Sequence, residues 1–136
     1  MDSELARITV AGLYEKARES WGGATVSRLG FTLPDDTDGY AVTVKPKGMA
    51  TIRIPDDSPL SVFASAWGRA RQEFFPVADY VGIFHDDTLH SIDFDPVAVV
   101  ATREEVDRLA EKYPVVGGAY EFASGNGYWP RVPALA

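Results

Sequence analysis

The sequence predicts an α+β fold: a single domain with an antiparallel or mixed sheet of about five to seven short strands. Two to three helices pack mainly on one face of it. Three observations lead there. Short runs alternate apolar and polar residues with period two, two longer stretches repeat apolar residues at helical spacing, and the connections are tight turns. Parallel strands would need long crossovers, and none is evident.

The elements follow in order. Residues 4–20 read as a helix capped by Ser3, with Leu5, Ile8, Leu13 and Ala17 near one stripe, ended by Trp21-Gly22-Gly23. Extended runs follow at 24–28, 39–45 and 49–54. Tyr40, Val42 and Val44 alternate against Ala41 and Thr43, and Lys45-Pro46-Lys47-Gly48 turns the chain, so the last two runs are expected to form a hairpin. Ser58 is the expected N-cap of the second helix, with Pro59 in its first turn and Asp56 and Asp57 near the positive end of its dipole. Leu60, Phe63, Trp67, Ala70 and Phe74 mark its apolar face, a core stripe. Strands are expected at 80–85 and 90–101. Thr102 to Glu105 form a capping box for a third helix that ends at Pro114, with Val106, Leu109, Ala110 and Tyr113 on its apolar face. Runs at 119–123 and 127–132 flank a Ser-Gly-Asn-Gly turn, and Pro130 pushes the last to an edge or out of the sheet. One domain over 1–136 results, an N-terminal helix over 1–21 and an α+β core over 22–132.

Composition supports a packed domain: 136 residues, 46% apolar and 24% charged, without repeats or low-complexity tracts. There is no cysteine, which removes disulfides, thiolate metal sites and cysteine nucleophiles. The acidic, charge-rich start is not a signal peptide, and no apolar run approaches the roughly 20 residues that span a bilayer. A cytoplasmic protein without membrane attachment is expected. Twenty acids against thirteen bases give a net charge of −7. A nucleic-acid backbone binder needs a basic face, so direct nucleic-acid binding is not expected. An acidic surface instead suits a basic or nucleic-acid-binding protein partner.

Chemistry concentrates in Phe84 to Asp95, FHDDTLHSIDFD, which holds the chain's only two histidines. With Asp87-Thr88 as a two-residue loop, His85 and His90 become cross-strand partners above Ile83 and Ile92. Asp93 and Asp95 face the other way with Phe84 and Gly82. A zinc site would need a third and usually a fourth ligand; Asp86 or the distant Glu73 could serve, but nothing local demands it. Asp93 and Asp95, at i and i+2, could share a divalent cation, but the sequence shows no partner base or phosphate clamp. Pro34 to Gly39 fails as a calcium loop, with Pro34 and Lys45 at ligand positions. Phosphate-binding glycine loops, nucleophile elbows and HExxH segments do not occur. Gly127-Tyr128-Trp129-Pro130-Arg131 is the other marked feature, since Trp, Tyr and Arg dominate interface hot spots, although the favoured reading is that Trp129 closes the core against a helix.

Gly22-Gly23, Gly39-Tyr40-Ala41-Val42, Tyr80 to Asp86, Ile92-Asp93, the helix over 103–113 and Ala119 to Gly125 stand in an order that resembles a family of small proteins and domains of actinobacterial phages and related mobile elements. There a GG segment leads to a GYxV strand, a GGWHD-like strand, an LD strand, a helix and an AIxDF-x-x-G strand. The resemblance spans roughly residues 22–130. It departs at Val81-Gly82 and Phe84, where the family tends to have Gly-Gly and Trp, and adds Gly127 to Pro130. No catalytic residues carry over. It implies an accessory role, acting on a host protein or defence system.

The sequence therefore reads as a non-enzymatic acidic interaction protein without a cofactor. His85, Asp86, Asp87, His90, Tyr128, Trp129 and Arg131 are its contact candidates. The alternatives are a small metal-dependent hydrolase using His85, His90 and Asp93, and a homo-oligomeric structural protein using the Tyr128-Trp129 edge.

Overall fold

The predicted alternation of elements is present in the computed structural model, which describes residues 8–20, 22–33, 37–113, 119–125 and 127–128. In chain order these are α1 (Val10–Arg18), β1 (Gly23–Ser27), β2 (Tyr40–Thr43), β3 (Ile52–Pro55), α2 (Leu60–Phe74), β4 (Tyr80–Asp86), β5 (Ser91–Val100), α3 (Arg103–Lys112), β6 (Ala119–Glu121) and β7 (Gly127–Tyr128). The fold is α+β. The seven strands among the described residues form one antiparallel sheet in the order β1-β4-β5-β2-β6-β7, with β3 also paired to β5.

The expected hairpin of residues 39–54 does not form. β2 pairs with Val97–Val100 of β5 and β3 with Ser91–Phe94, so the two short strands lie one after the other along a single edge of β5. Ten residues of β5 give room for both. Pro96 sits at the gap between them: its carbonyl accepts the Val44 N–H at 2.9 Å. Backbone N and C=O of one strand residue point to the same side, so the nitrogen that lacks a proton faces the gap, where no ladder bond is needed. Gly39 starts β2 at φ 98°, and a Cβ there would meet the Val100 carbonyl oxygen at 2.3 Å, so this corner admits only glycine.

Two helix starts differ from expectation. Described α1 begins at Val10, and Thr9 caps it by accepting the Gly12 N–H at 3.0 Å. The β-branched pair Ile8-Thr9 thus precedes the helix, where such residues are not penalised. Ser3 lies outside the described residues. In α2 the cap position falls to Pro59, because the Ser58 hydroxyl donates to the Pro55 carbonyl at 2.6 Å and closes the turn after β3. Pro59 still supplies the carbonyl that the Val62 and Phe63 amides use. For α3 the Thr102 cap is as expected, accepting the Glu105 N–H at 3.2 Å.

Leu60, expected on the α2 stripe, is instead exposed at the start of the helix. The main core joins Leu13 and Ala17 of α1 and Phe63, Trp67, Ala70 and Phe74 of α2 to Val26, Ile52, Ile54, Val81, Ile83, Ile92 and Phe94. These sheet residues share one face by alternation, so α1 and α2 cover that face. Burial of this kind is the dominant stabilising term. A second cluster seats Val106 and Leu109 of α3 on Tyr40, Val42 and Ala119. The Arg103 Nε–H donates to Tyr40 Oη at 3.0 Å and pins the start of α3 to β2. Among the described residues no helix is long and apolar enough to cross a membrane.

Candidate functional site

Alternation places His85 on the covered face, in line with Val81 and Ile83, and it is buried. Its cross-strand partner is Ile92, and Asp86 pairs with Ser91. The loop is therefore Asp87 to His90, four residues rather than two, and the expected pairing of His85 with His90 is not made. The cause is local. The Asp86 carboxylate accepts the Thr88 and Leu89 amides at 2.9 and 3.0 Å, an Asx-type turn that needs the longer loop. His90 then takes a left-handed conformation, φ 53°, and its side chain stands 80% exposed. A shift of two residues keeps every side chain on its face, so Asp93 and Asp95 remain opposite His85 as predicted.

Three segments remote in sequence converge on the imidazole. Glu19, at the end of α1, offers its carbonyl to Nδ1 at 2.9 Å. Asp56, in the loop after β3, places Oδ2 at 3.1 Å from Nε2, and Asp87 of the hairpin places Oδ1 at 3.2 Å. All three partners are acceptors, so the geometry favours the imidazolium, in which both ring nitrogens donate. Burial pulls its pKa down. The hydrogen bonds to Asp56 and the Glu19 carbonyl and the charges of Asp87 and Asp56 outweigh that, so the pKa is raised.

Supporting contacts tie the same segments together. The Ser20 hydroxyl donates to Asp87 Oδ2, the Asp56 N–H donates to the His90 carbonyl at 3.0 Å, and the His85 N–H to the Gly22 carbonyl at 2.9 Å. Tyr14 Oη donates to the Ser58 carbonyl at 2.6 Å, fixing α1 beside the Asp56 loop.

The surroundings of His85 are not those of a serine triad. A triad needs the serine on the histidine, whereas Ser20 bonds to Asp87 and among the described residues no serine is bonded to Nε2. A general base needs a free lone pair, and in the charged ring neither nitrogen has one. The metal set His85, His90 and Asp93 is not assembled, because Asp93 lies across the sheet from His85. Among the described residues no group of three or more His, Asp or Glu side chains is arranged to hold a metal ion.

On the opposite face each carboxylate has its own cation. Arg53 Nε and Nη2 donate to the two oxygens of buried Asp93 at 2.8 and 2.9 Å, and the Ser91 hydroxyl adds a bond at 2.9 Å. Hydrogen bonding to Asp93 and its charge raise the Arg53 pKa. Lys45 donates to Thr51 Oγ1 and Thr51 to Asp95 Oδ1, each at 2.6 Å, with Lys45 Nζ 3.3 Å from the same oxygen. Burial raises the Asp95 pKa, against the pull of Thr51 and Lys45. Instead of sharing a divalent cation, Asp93 and Asp95 form two separate protein ion pairs.

Of the contact candidates, His85, Asp86 and Asp87 face internal partners, and the turn exposes His90 with Leu89, which is 54% exposed. Tyr128 is described only as part of β7, and Trp129 and Arg131 lie outside the described residues. Asp56, Glu19, Ser20, Arg53 and Leu89 were not singled out by the sequence as site residues. Only the pairing of β3 with β5 brings Asp56 beside the hairpin. An open hollow of about 330 Å³ lies elsewhere, between Val77 and Tyr113 over Ala98, with no histidine in its wall. Comparison with family models, with curated proteins and with solved structures finds no match to this chain.

Proposed function

We propose that the protein is a non-enzymatic, acidic interaction protein of the phage or mobile-element accessory type. It works in the cytoplasm by contact with a host protein or defence component. One observation carries the reading. The best candidate for chemistry, His85, spends both ring nitrogens on acceptors of the protein itself, and the turn beside it presents Leu89 and His90 outward. A left-handed histidine costs about 1 kcal/mol or more relative to glycine, and such strain collects where a side chain is kept for contact. The net charge of −7 favours a basic partner.

Affinity capture from an actinobacterial host lysate tests this with the parent protein and a Leu89→Ser/His90→Gly variant. Glycine fits the left-handed position, so the variant folds as the parent does. The parent is expected to retain a partner that the variant loses. Equal retention by both, or none by the parent, would count against contact at the turn.

A further inference from the structure

We propose that the His85 side chain is a pH-dependent latch that holds the β4–β5 turn against the end of α1 and the loop after β3. The inference concerns the mobility of the turn and stands whether or not the turn meets a partner. One ring joins three backbone segments, and each joins it through an acceptor: the Glu19 carbonyl, the Asp56 carboxylate and the Asp87 carboxylate. Among the described residues, other polar groups nearby are engaged as well. Ser20 bonds to Asp87, exposed His90 places Nδ1 3.7 Å from the Asp56 oxygen, and Asp86 turns away onto the Thr88 and Leu89 amides. From the neighbouring strands, Ile54 and Ile92 contribute no charge.

Losing one proton breaks this arrangement. A neutral imidazole donates at only one nitrogen. With the proton kept on Nδ1 for the Glu19 carbonyl, the Nε2 lone pair faces two carboxylate oxygens at 3.1 and 3.2 Å. With it kept on Nε2, the Nδ1 lone pair faces the Glu19 carbonyl oxygen at 2.9 Å. Asp87 belongs to the turn, so the turn is what moves, and the Asp56 N–H loses its bond to the His90 carbonyl.

The direction in pH follows. His85 carries a raised pKa in the folded protein. The latch is therefore fully engaged below the ordinary histidine value of about 6.5 and is lost as pH rises through the raised value. His90 Nδ1 lies near the same Asp56 oxygen, so the test removes it.

In a His90→Gly protein, the His85 ring is titrated by NMR while amide-exchange protection is followed at Asp56, Thr88 and Leu89. Protection at these amides is expected to fall about fivefold as His85 deprotonates, the gap between a charge-assisted and a neutral hydrogen bond. The central β4–β5 ladder should keep its protection. Asp87→Asn, which preserves shape but removes charge, should move the His85 midpoint and the protection midpoint down together. Protection that stays constant through the His85 titration would overturn the latch. So would a His85 midpoint at or below the ordinary value, or midpoints that separate in the Asp87→Asn protein.

Discussion

Phe63→Ala is expected to lower stability by about 3–5 kcal/mol, the range for emptying a fully buried aromatic position. Phe63 is 0% exposed, with its ring centroid 5.2 Å from that of Tyr14 and 5.4 Å from that of Phe94. It therefore links α1, α2 and β5 in one contact set. The loss has two parts: the transfer energy of the ring, and a cavity that three rigid elements cannot collapse to fill. A consequence reaches the site. Tyr14 loses its packing partner, and Tyr14 Oη is what ties α1 to the Ser58 carbonyl beside Asp56. Urea unfolding measures the effect as a lower midpoint at unchanged slope. Phe63→Leu, which refills much of the volume, should lose far less. A loss below about 1.5 kcal/mol for Phe63→Ala would mean that the core described here is not the one the protein uses.

Arg53→Met is expected to cost about 2–3 kcal/mol, somewhat below the cost of breaking a fully buried pair because the Arg53 side chain is 52% exposed. The larger part comes from its partner. Asp93 is 8% exposed and would keep only the Ser91 hydroxyl. Methionine preserves the aliphatic stem that covers the sheet, so the loss reports the charge. One signature separates this from lost packing: adding Asp93→Asn should recover most of the deficit. If Asp93 were instead an independent catalytic carboxylate, removing Arg53 would leave stability within about 0.5 kcal/mol of the parent.

Much of this was readable in the chain. The order of ten elements, the apolar stripe of α2, the Thr102 cap and the split of the hairpin into two faces all rest on local chemistry. Period, capping and alternation are set by residues a few positions apart. The face assignment survived even though the loop was four residues rather than two, because a slip of two residues changes no side chain's face. What the sequence hid is set by distant pairing. Lys45 to Gly48 look like a hairpin turn, yet β2 and β3 each found β5 instead, since its ten residues offer a longer apolar ladder than either offers the other. That choice carries Asp56 to His85 and Arg53 to Asp93. From the sequence alone Asp56 reads as a residue for the dipole of α2 and Arg53 as a strand-exposed cation. Neither partner lies within 28 residues of it in the chain, so no local signal could join them.

The account turns on His85 being an internal cation rather than a reactive histidine. A long-range ¹H–¹⁵N correlation of the His85 ring at pH 6.5, where an unperturbed histidine is half charged, tests this directly. The geometry predicts both ring nitrogens predominantly protonated and the ring unchanged when zinc is added. A neutral ring with Nε2 unprotonated, or one whose Nε2 signal shifts with stoichiometric zinc, would contradict it and restore His85 to chemistry.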